Sequence, residues 1–145
     1  MKRKQYHKIA VTDIVREAGV SRNSFYRNFQ SVEEIITQFL EQKTSKWWSE
    51  FIAYPDRYPH VISEMFYHFL DMREEIHLLY HAGLSHLLME HIVLCGKLSQ
   101  TGEIKNTYQI AFMSGGLCGL VNEWILRGMK ESPEEMEHIF SNHKI

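Results

Sequence analysis

The stretch Ala10-Val-Thr-Asp-Ile-Val-Arg-Glu-Ala-Gly-Val-Ser-Arg-Asn-Ser-Phe-Tyr-Arg-Asn-Phe-Gln30 decides the fold. Its first half has apolar side chains at the spacing of one helical face, namely Val11, Ile14, Val15 and Ala18. Gly19 follows, and glycine tolerates the positive φ that often ends a helix. Ser21 is suited to cap a second helix, because its hydroxyl can accept from amides of the first turn. The stretch therefore predicts two short helices joined by a tight turn.

The second of these helices has an apolar side and a polar side. Phe25 and Phe29 are four residues apart, so both belong to an inner stripe. The outer side has only hydrogen-bond donors and stacking groups, with no acidic residue: Arg22, Asn23, Tyr26, Arg27 and Asn28. Arginine can pair with guanine and asparagine with adenine. A helix that presents Arg22 and Asn23 at its start is therefore predicted to read base edges in the major groove.

The run Ala18-Gly19-Val20-Ser21, followed by Phe25-Tyr26-Arg27-Asn28-Phe29 and Ser31-Val32-Glu33-Glu34-Ile35, resembles the helix-turn-helix of the TetR family of bacterial transcriptional regulators. This resemblance implies contacts to the DNA backbone or groove rim, which position the protein without specifying sequence. Val32 stands where many relatives have a phosphate-contacting lysine, so one such contact is expected to be lost. The candidate DNA-binding residues are Thr12, Ser21, Arg22, Asn23, Ser24, Tyr26, Arg27 and Asn28.

The start of the chain departs from this family. TetR-like proteins usually begin with a full amphipathic helix that packs behind the helix-turn-helix. Only nine residues precede Ala10 here, which is fewer than such a helix needs. We therefore expect most of the first helix to be missing from this sequence.

The charge is distributed unevenly along the 145 residues. The net charge is −2, but residues 1–30 carry +5 and the remaining residues carry −7. A basic N-terminal segment followed by an acidic remainder favours binding of a polyanion at the N-terminal end. The sequence contains no apolar run long enough to span a membrane and no signal peptide. Two cysteines are too few for a disulfide framework, so a cytoplasmic protein is expected.

The remainder of the chain shows helical periodicity and no β alternation, which predicts an all-α fold. Ser31 and Glu34 form a capping box that opens a long helix, and Ser132 and Glu135 form a second one before the last helix. The interpretation is a helix-turn-helix head joined by a long helix to a C-terminal helical bundle. The expected domains are 1–42 for DNA binding and 43–145 for ligand binding and dimerisation. The expected helices after the head are about 32–53, 58–72, 76–83, 85–98, 104–129 and one from 133, with a polar junction at 71–75 and a turn at 99–102.

The last two helices are expected to form a dimer interface. Three glycines sit in the middle of an apolar helix, where each lowers helix stability and usually marks close approach by a neighbour. The stretch from Phe112 to Met136 resembles the C-terminal region of a TetR subgroup, and in that family the last two helices of each chain form a four-helix interface. The candidate interface residues are Gly115, Gly116, Gly119, Trp124 and Met136.

The resemblance also implies a small-molecule effector between the body helices, although core packing is the ordinary role of such apolar residues. The candidate pocket residues are Phe66, Phe69, His77, Tyr80, His81, Met113 and Trp124. His77 and His81 are four residues apart, with His86, Glu90 and His91 following, but no closed set of zinc ligands is present. We therefore expect no metal and no cofactor.

The favoured hypothesis is a homodimeric, ligand-responsive transcriptional regulator, most simply a repressor that binds a palindromic operator on double-stranded DNA. The alternative is an all-α dimeric module that binds ligands or proteins but does not bind DNA by itself, which the short head and Val32 favour. An enzyme that uses the histidine-rich middle is a third hypothesis, and no catalytic motif supports it.

Overall fold

The computed structural model describes residues 10–98 and 104–142, and all regular structure in these two ranges is helical. The predicted all-α fold is therefore confirmed. No helix in the described ranges is both long enough and apolar enough to cross a membrane. The elements are α1 (Val11–Ala18), α2 (Arg22–Asn28), α3 (Val32–Ile52), a 3₁₀ helix (Pro55–His60), α4 (Val61–Asp71), α5 (Arg73–His81), α6 (Ser85–Leu98), α7 (Ile104–Leu126) and α8 (Pro133–Asn142).

The turn between α1 and α2 forms as its sequence predicts. Gly19 has φ 66° and ψ 28°, the left-handed conformation that glycine adopts without a side-chain clash. The N–H of Val20 donates to the carbonyl of Val15 at 3.0 Å, which closes the end of α1. The Ser21 hydroxyl accepts from the N–H of Ser24 at 3.1 Å and caps α2. These bonds fix how the two helices lie relative to each other.

The inner face of α1 is narrower than its sequence pattern predicts. Val15 is buried, at 8% exposure, and Phe25 of α2 is buried at 4%. Ala18 is exposed, and so is Val20, the residue after the turn glycine. Both had apolar character but lie at the rim of the helix pair.

Helix α3 connects the helix-turn-helix to the body without a break. The Ser31 hydroxyl accepts from the N–H of Glu34 at 3.2 Å, as the capping box predicts. The Glu34 carboxylate, however, accepts from the N–H of Gln30 and not from that of Ser31. Ile36 and Leu40 of α3 already belong to the core of the body. The predicted domain boundary after residue 42 therefore falls inside one continuous helix.

The body is a bundle in which α3 and α7 pack on α6, while α8 packs on α4. Its core is apolar and includes side chains from every helix from α3 to α8. Burying these side chains is the main favourable contribution to folding. The largest side chains with under 2% exposure are Trp124, Phe66, Leu40, Ile76, Leu88 and Val121.

Two predicted boundaries in the body differ from those in the structure. The predicted junction at 71–75 contains the break between α4 and α5, but this break is Met72 alone, and α5 begins at Arg73 and not near 76. Met72 is buried at 3% exposure and belongs to the core. Helix α7 ends at Leu126 and not near 129, because Gly128 and Met129 both have positive φ. The predicted turn at 99–102 and the segment before Ala10 lie outside the described residues.

Candidate DNA-binding site

The polar side of α2 lies on the surface, above a buried aromatic ring. Arg22, Asn23 and Arg27 are exposed, and Tyr26 is 59% exposed. Beneath them Phe25 packs in the helix pair, with its ring centroid 5.7 Å from that of Phe29 and 5.2 Å from that of Tyr26. The apolar ring holds the helix, while the polar side chains remain available to a ligand.

Hydrogen bonds divide the eight candidate residues into two groups. Ser21 and Ser24 are engaged with each other, through the cap and a 3.0 Å contact between their hydroxyls. The Asn28 amide donates to the carbonyl of Ser24 at 2.8 Å, so its orientation follows the helix. The Arg22 guanidinium donates to the Thr12 hydroxyl. The second group is Asn23, Tyr26 and Arg27, all on α2, and its side chains are exposed to solvent.

The charge of this surface favours an anion. Helix α2 contains two arginines and no carboxylate. On α1, Asp13 accepts from Arg16 at 3.0 Å and from the N–H of Ala10 at 3.0 Å, so this carboxylate is directed along its own helix. Exposed guanidinium groups bind phosphate oxygens and the acceptor edge of guanine. The surface of α2 is therefore chemically suited to nucleic acid.

The dimensions of α2 also fit a groove. Seven helical residues extend about 10 Å at 1.5 Å per residue, and the major groove of B-DNA is about 12 Å wide. A helix of this length can place its first residues against base edges while its second half lies near the backbone. Seven of the eight candidates are exposed, with Thr12 on α1 and the other six on α2 or at its cap. Ser24 is half-buried, and its hydroxyl lies 3.0 Å from that of Ser21.

The seven candidate pocket residues differ in their burial. Phe66, Phe69 and Trp124 are core residues, and the Phe66 and Trp124 rings pack edge to face with centroids 4.9 Å apart. His77 and His81 are exposed, and Met113 is 46% exposed. The seven residues therefore do not share one environment in this conformation, and a pocket that they form together stays a prediction.

Tyr80 makes a polar contact between two helices of the bundle. Its hydroxyl donates to the Asn122 side-chain oxygen at 2.7 Å, which links α5 to α7. Burial raises the pKa of Tyr80, so the hydroxyl stays protonated. Asn122 was missed at the sequence level, although a lone amide in the apolar run of α7 is the kind of signal that marks such a contact.

The histidine-rich segment does not assemble into a ligand cluster. His77, His81 and His86 are exposed, whereas His91 is buried at 9% exposure and bonds to Thr44. In the ranges that the structure describes, no three side chains of His, Cys, Asp or Glu are grouped so that they could hold a metal ion.

An apolar face of α7 lies uncovered on the protomer. Tyr108, Phe112 and Leu126 are 74%, 61% and 64% exposed. Their spacing places them on one side of the helix together with the exposed glycines Gly115, Gly116 and Gly119. Within the described chain, a Cβ at any of these three glycines would meet no atom within 4 Å, so the expected close neighbour is absent from the protomer itself.

The other two candidate interface residues lie inside the protomer. Trp124 is 1% exposed, and its indole N–H donates to the carbonyl of Glu131 at 3.0 Å. Met136 is 4% exposed and belongs to the same core. In this conformation neither residue offers surface to a second copy, so their predicted role in an interface is not supported.

Comparison with known families agrees with this geometry. Residues 1–38 match the family model described as "Bacterial regulatory proteins, tetR family". Residues 56–143 match a tetR-family model described as "Transcriptional regulator C-terminal region", which covers more than half of the chain. No curated protein and no solved structure matched the chain. The exposed polar side of α2 and the two matched regions lead to one conclusion: the chain belongs to the TetR family and is a DNA-binding transcriptional regulator.

Proposed function

We propose that this regulator is a homodimeric repressor that binds a near-palindromic operator in the bacterial cytoplasm and releases it when a small molecule binds the body. The observation that carries the proposal is the outer side of α2, where Arg22, Asn23 and Arg27 are exposed above buried Phe25. Bidentate pairing gives Arg22 a preference for guanine and Asn23 a preference for adenine. In a dimer the two α2 helices enter successive major grooves, about one helical turn apart.

The test of DNA reading is the double variant Arg22→Ala plus Asn23→Ala. Its binding is measured by gel shift with the DNA upstream of the protein's own gene. We expect a loss of affinity of about a hundredfold, because two base-reading side chains are removed. The matched control is Arg57→Ala plus Asn142→Ala, which removes an exposed arginine and an exposed asparagine that belong to other helices. If both double variants bind like the wild type, the assigned reading surface is wrong.

The proposed dimer forms through the uncovered face of α7. Exposed Tyr108, Phe112 and Leu126 supply apolar surface, and the glycines allow a second helix to approach closely. A second copy suits this face because the family matched by residues 56–143 usually acts as dimers. A two-fold arrangement places the same face of each copy against the other.

Light scattering during size exclusion tests the dimer. The wild-type chain of 17.2 kDa is expected to elute with twice that mass. Phe112→Glu introduces a charge into the apolar face and is expected to give monomers. Ile52→Glu, at a 45% exposed position on α3, is the control and should remain dimeric. A monomeric wild type, or a Phe112→Glu variant that stays dimeric, contradicts this interface.

Release by an effector requires a ligand that binds two conformations of the body unequally. Tyr80 and Asn122 are half-buried, and their hydrogen bond is a polar contact between α5 and α7. We place the effector-binding site at this contact. Small amphipathic molecules that raise the Tm of the wild type and reduce its DNA binding identify the effector. Asn122→Leu should abolish both responses, and an unchanged response in this variant rejects the placement.

Repression itself is tested with a reporter fused to the upstream DNA, whose expression should rise when the regulator is deleted.

A further inference from the structure

Thr12 and Arg22 are joined across the turn between the two helices of the head. Nη2 of Arg22 donates to Oγ1 of Thr12 at 2.5 Å, although ten residues separate them in sequence. Thr12 lies in the first turn of α1, and Arg22 is the first residue of α2. Both side chains are exposed, so the bond lies on the solvent side of the helix pair.

The backbone of the turn brings these two positions together. Gly19 is left-handed, and the N–H of Val20 is bonded to the carbonyl of Val15. Ser21 then caps α2 through its hydroxyl, which sets where Arg22 begins. The nearness of position 12 to position 22 is therefore a property of the folded turn, and it does not depend on the arginine side chain alone.

We propose that Thr12 is a positioning residue that directs the Arg22 guanidinium toward one base pair, so that α1 contributes to sequence specificity through α2. This inference rests on the proposed function, because it requires α2 to lie in the major groove. A long exposed side chain loses rotamer freedom when it is fixed against DNA. A hydroxyl that holds the guanidinium in place before DNA binds reduces the entropy lost on binding, and it favours the base that fits this fixed orientation over the other bases.

The chemistry of the two groups permits both contacts at once. A guanidinium has five N–H donors, so the bond to Thr12 leaves enough donors for a bidentate pair with guanine O6 and N7. The Thr12 hydroxyl accepts from Arg22 with a lone pair and retains its own hydrogen, which a phosphate oxygen can accept. Thr12 can therefore bridge a backbone contact and a base contact.

Selection from a random duplex DNA pool, followed by sequencing, tests this role without a known operator. The proteins compared are the wild type, Thr12→Val, Thr12→Ser, Arg22→Ala and the double variant Thr12→Val plus Arg22→Ala. Arg22→Ala should lose a preference of about tenfold at one base pair of each half-site. Thr12→Val should lose part of the preference at that same base pair, whereas Thr12→Ser should retain it. In the Arg22→Ala background, Thr12→Val should change that position no further.

Thr37→Val is the matched control, because the Thr37 hydroxyl donates to the carbonyl of Glu33 within α3. It should leave the selected sequence unchanged, and circular dichroism should show all variants equally helical. The positioning role is overturned if Thr12→Val weakens all sequences equally, since Thr12 is then a phosphate contact only. It is also overturned if the preference is unchanged. A wild type that enriches no sequence overturns the proposed function itself, which is a distinct result.

Discussion

Nε2 of His91 lies 2.7 Å from the hydroxyl oxygen of Thr44, and this hydrogen bond ties α6 of the body to α3. His91 is only 9% exposed, and the Cys95 sulfur lies 3.6 Å from the same nitrogen. Because α3 begins shortly after α2, this contact lies on the helix that connects the body to the helix-turn-helix.

Removing the Thr44 hydroxyl should destabilise the protein. Thr44→Val leaves Nε2 of His91 without its hydroxyl partner, and Nδ1 of His91 is already buried without a partner. The expected decrease in the free energy of unfolding is about 1–3 kcal/mol, measured by urea denaturation. Thr37→Val is the control on the same helix and should lower stability by less. Equal effects of the two variants would show that the contact to His91 contributes nothing specific.

Stability should fall as the solution is acidified below pH 6.5. Burial lowers the pKa of both His91 and His68 from 6.5, and the charge of Glu41 only partly opposes this at His91. The folded state therefore resists protonation that the unfolded state accepts. The histidine contribution is complete above pH 6.5, declines as the pH falls toward the folded pKa values, and is constant below them. Urea unfolding at about pH 7.5 and about pH 5.5 measures the decline.

The double variant His68→Gln plus His91→Gln supplies the control for this pH effect. It lacks both groups with lowered pKa values, so its stability should depend less on pH over this interval. Nine histidines are present in the chain, and His77→Gln plus His81→Gln removes two exposed ones instead. If replacing the exposed pair reduces the pH dependence of stability as much as replacing His68 and His91 does, burial is not the cause.

Substitution of Trp124 should show that it is a core residue and not an interface residue. Trp124→Phe removes the indole N–H that bonds to the carbonyl of Glu131 and leaves a small cavity. We expect a loss of about 1–3 kcal/mol in the free energy of unfolding. Trp48→Phe, at a position 44% exposed, should change it by less than about 0.5 kcal/mol. A stable Trp124→Phe variant with weakened dimerisation would restore the interface role.

An alanine among the exposed glycines of α7 should stabilise the protomer but weaken the dimer. A Cβ at Gly116 meets nothing within 4 Å, and alanine favours a helix by about 1 kcal/mol over glycine. Gly116→Ala should therefore stabilise the isolated protomer while weakening a dimer that requires close helix approach. Thermal unfolding at several protein concentrations separates the two effects. Stronger dimerisation in this variant would contradict a close-packed glycine interface.

Local features of this protein were predictable from sequence because they depend on few neighbours. Gly19 and Ser21 set the helix-turn-helix through a left-handed residue and a cap, and both were confirmed. The polar stretch 71–75 predicted a break, but its restriction to Met72 was not predictable, since this residue is apolar and buried in the core. Periodicity cannot say which apolar positions of α7 face the core, and so Trp124 was assigned to a pocket and an interface.

The candidate DNA site likewise has features that a single helix predicts and features that depend on contacts between helices. Its exposed residues follow from the spacing of Arg22, Asn23 and Tyr26 around Phe25, which a single helix determines. The bond from Arg22 to Thr12 crosses a turn, and no one-helix pattern contains it. The Tyr80 and Asn122 contact likewise joins α5 to α7 across the bundle, so it emerges only when the helices are packed.

Fluorescence anisotropy with labelled DNA shows whether this chain binds DNA with a sequence preference. The purified wild-type chain is titrated into the duplex upstream of its own gene and into a scrambled duplex, each at two salt concentrations. We expect tight binding to the upstream DNA that is weaker at high salt, because phosphate contacts release counterions, and much weaker binding to the scrambled DNA. Equal and weak binding to both duplexes would contradict this expectation and would favour a dimeric interaction module that does not read DNA by itself.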